Sequence, residues 1–317
     1  TAASQVFKPL AYTADNTDER ELDCVFRPDL AMLRVRDQTS GAGSFIVGSR
    51  TWARKYVATN STATGVNDSD TFQWNRKTLQ NPFTQDAVTI GNDATSLVNN
   101  GTTNTQIAHI FKRARSFLSC SGHKGSGTAG LKIYHDLRSV PEMVLIKSYQ
   151  GTSQSWAVYH KDLNSGSSPE DYYLSLNSNA AETDSNTVWN DTAPTDRFVT
   201  LGNSNLVNGS TSYYYSSYFF GSVSGVSKVG SYTGTGAALN VDCGFSSGAS
   251  LIWIKRADST GDWFVYDSVR GINSGNSPYL SFNSNAAEVT NTNYVSPHSN
   301  GFTVTADAPD DLNADGG

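Results

Sequence analysis

The residues of this 317-residue chain that could do chemistry are five histidines, three cysteines, and the few tryptophans, tyrosines and carboxylates that recur along it. Acyl-transfer chemistry needs a Ser or Cys beside a His that a carboxylate orients. His109, His123, His135, His160 and His298 share no matching positions, and no Gly-x-Ser-x-Gly turn sits between a strand and a helix pattern. Glu182 and Glu288 do match, each after an Asn-Ala-Ala turn. Glycoside hydrolysis takes two carboxylates about 5 to 10 Å apart, however, and each place offers one. No catalytic residue is assigned, and the chain reads as something other than an enzyme.

Asp258, Asp262 and the carboxylates from Asp307 to Asp315 could gather a calcium ion, which takes about six to eight oxygens. Their spacing departs from the EF-hand loop, and Asp is an ordinary turn residue. Cys24, Cys120 and Cys243 are too widely spaced for a metal-ligand pattern. No metal and no cofactor are expected. Trp156 and Trp263 match in position; an indole face could meet a pyranose ring, but large aromatics at such places ordinarily fill a sandwich core, the reading we favour. Tyr213, Tyr215 and Tyr218 lie in the aromatic run Tyr213 to Phe220. They are candidate glycan or subunit contacts, against the simpler reading of a closing strand with one face buried. Asp267 and Arg270 read as a turn-stabilising pair.

These residues are carried by a unit that the sequence repeats. Tyr173 to Glu182 reads YLSLNSNAAE, and Tyr279 to Glu288, 106 positions on, reads YLSFNSNAAE. Met143-Val144-Leu145-Ile146-Lys147 matches Leu251-Ile252-Trp253-Ile254-Lys255, and Trp156-Ala157-Val158-Tyr159 matches Trp263-Phe264-Val265-Tyr266. A more diverged copy comes first. There Met32-Leu33-Arg34-Val35 stands with the Ile-Lys strands, Lys55 to Ser61 with the Tyr-Leu-Ser segment, and Leu97-Val98-Asn99 with Leu206-Val207-Asn208. The chain divides at about residues 1–114, 115–223 and 224–317, with Gly221 to Gly225 as a short linker at the second junction.

The repeated segments are short, rich in β-branched and aromatic residues, and bounded by Gly, Asn, Asp and Pro. They predict an all-β chain of three tandem β-sandwich or jelly-roll-like repeat domains. Leu251 to Ile254 reads as a central strand, and Gly301 to Thr305 as a half-exposed one. The first two copies close with strand-like segments, Thr105 to Phe111 and Tyr213 to Phe220, whereas the third stops at Asp315-Gly316-Gly317 where such a strand should begin. Either the sequence is a piece of a longer chain, the reading we favour, or a neighbour supplies the strand.

Only 16% of residues are charged, the net charge is −6, and Met is reduced to Met32 and Met143. This balance favours strands over helices and argues against a phosphate-binding surface, so nucleic acid is not an expected partner. No apolar run approaches the ~20 residues that cross a bilayer as a helix, so no membrane insertion is expected. Cys24 and Cys243 hold matching positions in different copies and are expected far apart, without intrachain disulfides.

The stretch Phe220 to Gly234, FGSVSGVSKVGSYTG, continued by Trp253-Ile254-Lys255-Arg256 and Tyr266-Asp267-Ser268-Val269-Arg270-Gly271, resembles a repeat domain of unknown function from tail-fibre and other structural proteins of tailed marine and cyanobacterial phages. His135-Asp136-Leu137, Val140-Pro141-Glu142-Met143 and Trp156-Ala157-Val158-Tyr159-His160 look like the partner repeat that precedes it. The resemblance implies a virion protein assembled in the host cytoplasm, working through rigid extended shape. Its partners would be other copies of itself and other virion proteins, in assembly or host attachment. The alternatives are a carbohydrate-binding module for host surface glycans and a capsid decoration protein. The resemblance supplies no catalytic residues.

Overall fold

The structure, a computed structural model, describes residues 2–37, 43–52, 55–67, 71–72, 83–92, 98–99 and 101–317. It is all-β, with several sheets and, among the described residues, only single turns of helix. Up to residue 114 the strands are β1 (Phe7–Thr13), β2 (Arg20–Asp23), β3 (Leu30–Val35), β4 (Ile46–Ser49), β5 (Lys55–Ala58), β6 (Val66–Asn67), β7 (Ala87–Ile90) and β8 (Thr105–Phe111). Then come β9 (Leu118–Lys124), β10 (Leu131–Tyr134), β11 (Met143–Gln150), β12 (Ala157–His160), β13 (Tyr172–Tyr173), β14 (Thr183–Asp184), β15 (Phe198–Leu201) and β16 (Tyr214–Phe220). The rest are β17 (Leu239–Asp242), β18 (Leu251–Ile254), β19 (Phe264–Asp267), β20 (Leu280–Ser281), β21 (Val295–His298) and β22 (Gly301–Val304).

Three inner sheets run β1-β8-β3-β4-β5-β6, β12-β11-β16-β9 and β18-β19-β20, and every pairing between named strands is antiparallel. An outer sheet lies over each, two-stranded in the first two parts and three-stranded in the third: β2-β7, β10-β15 and β17-β22-β21. Between the inner and outer sheet of each part is a local apolar core. Leu22, Ala31, Val88 and Ile110 belong to the first, Ile133, Val144, Val199 and Phe219 to the second, and Ile252, Tyr266, Phe302 and Val304 to the third.

The opposite faces of the inner sheets meet in a fourth core drawn from all parts of the chain. Met32 and Phe45 contribute from the first part, Leu145 and Trp156 from the second, Trp263 and Phe282 from the third. Strand alternation explains how one strand serves two cores. On β16, Tyr215 and Phe219 face the local core, while Tyr218 and Phe220 face the shared one. For the same reason β3, Leu-Ala-Met-Leu-Arg-Val, is buried along its whole length. Aromatic pairs bridge the parts: Phe45 and Phe282 have ring centroids 5.0 Å apart, and Phe111 lies 6.3 Å from Phe220.

Several expectations are corrected. The parts are not strung out as an extended array, because their largest core is common to all three. Gly221 to Gly225 is no free linker: Gly221 N–H donates to Phe117 O, and Val223 pairs with Ser227. The aromatic run is the closing strand β16, flanked by β11 and β9, but with both faces buried and not one. β18 is an edge strand and not a central one; its apolar residues answer to the two cores rather than to two neighbouring strands. Leu97 lies outside the described residues.

Candidate functional site

The chemistry-bearing residues gather where the parts of the chain meet. Leu33, Ile146 and Ile254 hold the same register against the next strand, opposite Ile46, Ala157 and Phe264. The residue that follows each is basic: Arg34, Lys147 and Lys255. All three reach backbone carbonyls of another part. Lys147 Nζ donates to Ser61 O at 3.2 Å and Thr62 O at 2.9 Å. Lys255 Nζ donates to Asn179 O at 3.4 Å. Arg34 donates to Ser284 O at 3.0 Å and also to Ser281 O and Ala286 O. Thus 115–223 grips 1–114, 224–317 grips 115–223, and 1–114 grips 224–317, closing a cycle.

A backbone bond accompanies each grip: Gly65 N–H to Tyr149 O at 2.9 Å, Glu182 N–H to Ala257 O at 2.8 Å, and Glu288 N–H to Arg36 O at 2.7 Å. The tryptophans complete two of the junctions. Trp156 Nε1–H donates to Ala58 O at 2.9 Å, and Trp263 Nε1–H to Ser175 O at 3.1 Å. Phe45 takes the corresponding place at the third, where Thr59 Oγ1 donates to Phe282 O at 2.6 Å. Burial pulls the Lys147 ammonium down to about 7 and that of Lys255 to about 8, from an ordinary 10.5. A buried cation is tolerable only where acceptors replace water, which is what these carbonyls do.

The junction between 1–114 and 224–317 adds a buried charge network. His109 Nε2 meets Asp267 Oδ2 at 3.0 Å, and because a carboxylate only accepts, Nε2 carries the proton. Arg270 Nε donates to the same oxygen at 2.6 Å and its Nη1 to Glu288 Oε2 at 3.2 Å. Arg36 donates to both Glu288 oxygens, at 3.0 and 2.8 Å. Burial alone would raise the Asp267 carboxyl, but the hydrogen bonds and charges of His109 and Arg270 outweigh it and hold the pKa well below the ordinary carboxylate range. The charges pair off inside the protein, so the network acts as a staple. The turn expected of Asp267 and Arg270 is present, with Arg270 N–H to Asp267 Oδ1 at 3.0 Å, and it also serves this contact.

A second constellation recurs at three places. Asn99, Asn208 and Asn313 are buried. Their Oδ1 atoms accept from the N–H of Asp15, Ser126 and Thr235 at 3.2, 2.7 and 3.0 Å. Their Nδ2 atoms donate to Thr17 O, Thr128 O and Ala237 O, each at 2.8 Å. The preceding carbonyls of Val98, Val207 and Leu312 accept from Tyr12 OH, His123 Nε2 and Tyr232 OH at 2.8, 2.8 and 2.7 Å. Each Asn latches a loop of the outer sheet to the chain end of its part. Sequence comparison caught the first two and missed Asn313, whose neighbours Asp311 and Leu312 share no identity with Leu206 and Val207; the spacing of 105 from Asn208 was the available signal.

Trp156 and Trp263 are 0% and 5% exposed, which leaves no ring face for a sugar and corrects the glycan-contact reading. Tyr215 and Tyr218 are buried as well; the Tyr215 hydroxyl donates to Asn205 O at 2.9 Å, and Tyr213 is half-buried. Glu182 and Glu288 do not face each other: Glu182 accepts from Asn164 N–H at 2.8 Å, and Glu288 holds the two arginines. Asp258 is engaged by Arg256. Among the described residues no cluster of three or more His, Cys, Asp or Glu side chains could hold a metal ion.

No curated protein and no solved structure matches the chain. A family described as Domain of unknown function (DUF7483) matches residues 2–317, across all three parts and every junction described above. On that match, the chain belongs to the DUF7483 family.

Proposed function

We propose that the chain is a structural building block of a phage particle, a tail-fibre or appendage component in which three copies of one β-sandwich unit close around a shared core. Its role is mechanical rather than catalytic. The observation that carries this reading is the use made of Arg34, Lys147, Lys255 and the two tryptophans: side chains able to bind a ligand are engaged in holding one part of the chain to the next. The matching latches at Asn99, Asn208 and Asn313 support the three-copy reading. The sequence resemblance to phage repeat domains supports the virion setting, with other copies of the chain and other virion proteins as partners.

Light scattering on the chain, followed by imaging of whatever assembles, tests the proposal. Discrete oligomers or filaments without glycan binding are expected. A stable monomer that retains one glycan class on an array would replace this reading with a carbohydrate-binding module.

A further inference from the structure

The turns that lead from the outer to the inner sheet in the first and second parts, residues 24–29 and 135–142, lie at one end of the body. β3 and β11 begin there, with Leu30 opposite Phe111 and Met143 opposite Phe220. The rings of Phe111, Phe220 and Trp253 meet at that end, their centroids 6.3, 6.1 and 5.8 Å apart.

The first of these turns carries an apolar knob. Val25 is 80% exposed, more than any other large apolar side chain among the described residues. Its φ of +61° lies in the left-handed region, which a β-branched residue enters only at a cost. The matching residue of the third part, in Asp242-Cys243-Gly244-Phe245, is Gly244 with φ +70°, so the turn itself suits glycine. Cys24 and Phe26 on either side are buried, and Cys24 N–H donates to Asp86 O at 2.7 Å, which pins Val25 facing outward. Neither the strain nor the exposure serves the fold of a single chain.

Beside the second turn is an open recess of about 350 Å³. Val140, Pro141 and Tyr159 give it an apolar wall, with Val140 exposed at the rim. Glu142 and Lys161 line its polar side, joined at 2.7 Å, and Ser222 N–H donates to Glu142 at 2.6 Å. The knob has charges to match. Asp23 and Arg27, both exposed, stand two positions either side of Val25, so each surface offers one acid and one base: Asp23 for Lys161, and Arg27 for Glu142.

We propose that two copies of the chain pair end to end about a two-fold axis, Val25 of each copy entering the recess beside Val140 of the other. Knob and recess lie at the same end on adjoining parts, so one two-fold axis makes both contacts at once, as an interface between identical surfaces requires. An apolar centre with a charged rim is the common anatomy of such contacts.

The inference rests on the reading of the chain as a building block and names the surface by which copies meet. Sedimentation velocity on the native chain, on Val25→Gly, on Val140→Arg, which fills the recess from its rim, and on an equal mixture of the two variants tests it. A native dimer is expected, with the dissociation constant of each variant raised at least about tenfold. The mixture keeps one contact of the two and is expected to associate more tightly than either variant alone. Val25→Gly should not lower the melting temperature, since glycine suits the turn; a residue serving the fold alone would behave otherwise. Self-association that neither substitution alters would overturn this contact and leave the building-block reading standing. A native chain that stays monomeric would overturn the contact as well, and glycan retention by that monomer is the separate result that removes the building-block reading.

Discussion

The His109 imidazole and the Asp267 carboxylate, 158 positions apart in sequence, meet at 3.0 Å with neither side chain exposed. Neither residue has a polar counterpart of the same kind at the other two junctions: Tyr218 matches His109 in register, and Ser49 and His160 match Asp267. The staple is thus peculiar to the junction that closes the cycle. Removing one member of such a buried pair costs most, because the other is left without its partner.

The pH response of the fold follows from Asp267. Its folded pKa is depressed, so its contribution to stability is present above the ordinary value of 3.8 and is lost as pH falls through the lower folded value. Melting temperature measured by circular dichroism should fall steeply below pH 4 in the native chain. Asp267→Asn should flatten that decline and cost about 3 to 5 kcal/mol near neutrality. An unchanged acid profile in the variant would show that other carboxylates control it.

Trp156→Ala should cost about 3 to 5 kcal/mol, the usual loss for a buried aromatic, read as a shift of the denaturant midpoint. Trp156→Phe keeps most of the ring but orphans the Ala58 carbonyl, a loss of about 1 to 3 kcal/mol. Equal midpoints for Trp156→Phe and the native chain would deny the indole hydrogen bond any role.

Alanine at Asn99, Asn208 or Asn313 removes the same latch from three places, and each is expected to cost about 1 to 3 kcal/mol. Thermal unfolding of the three variants checks this. If one loss were large and the other two undetectable, the three positions would not be equivalent and the three-copy reading would fail.

Cys24 and Cys120 are buried, and burial pushes the Cys24 thiol up to about 11 and the Cys120 thiol well above its ordinary value. Cys243 is only half-buried. Alkylation under native conditions, followed by mass spectrometry, should modify Cys243 first, because reaction needs an accessible thiolate. Equal labelling of all three would mean that the cores around Cys24 and Cys120 open readily.

Strand content was legible because alternation and turn residues act locally: Thr105 to Phe111 and Tyr213 to Phe220 were recognised as closing strands, and the structure has β8 and β16 there. Trp156 and Trp263 were legible as core by their matching positions. Their acceptors Ala58 and Ser175 were not, because likeness between segments says nothing of how the segments face one another. The same limit hid the cycle. Arg34 aligns with the Ile-Lys strands, yet only the packing shows that it reaches Ser284. The edge position of β18 was missed for a related reason, since an apolar run reports burial of two faces and not occupancy of two edges.

Arg34 gains its acceptors Ser281 and Ala286 only after 247 and 252 further positions. A chain made from its N-terminus therefore carries part of the inner face around Met32 and Phe45 uncovered until residues 281–286 have been synthesised. Contacts of such long range slow folding, and apolar faces left open in the interval invite aggregation. Of the three junctions, the one between 1–114 and 224–317 joins the residues farthest apart in sequence, and so carries the largest cost of chain closure.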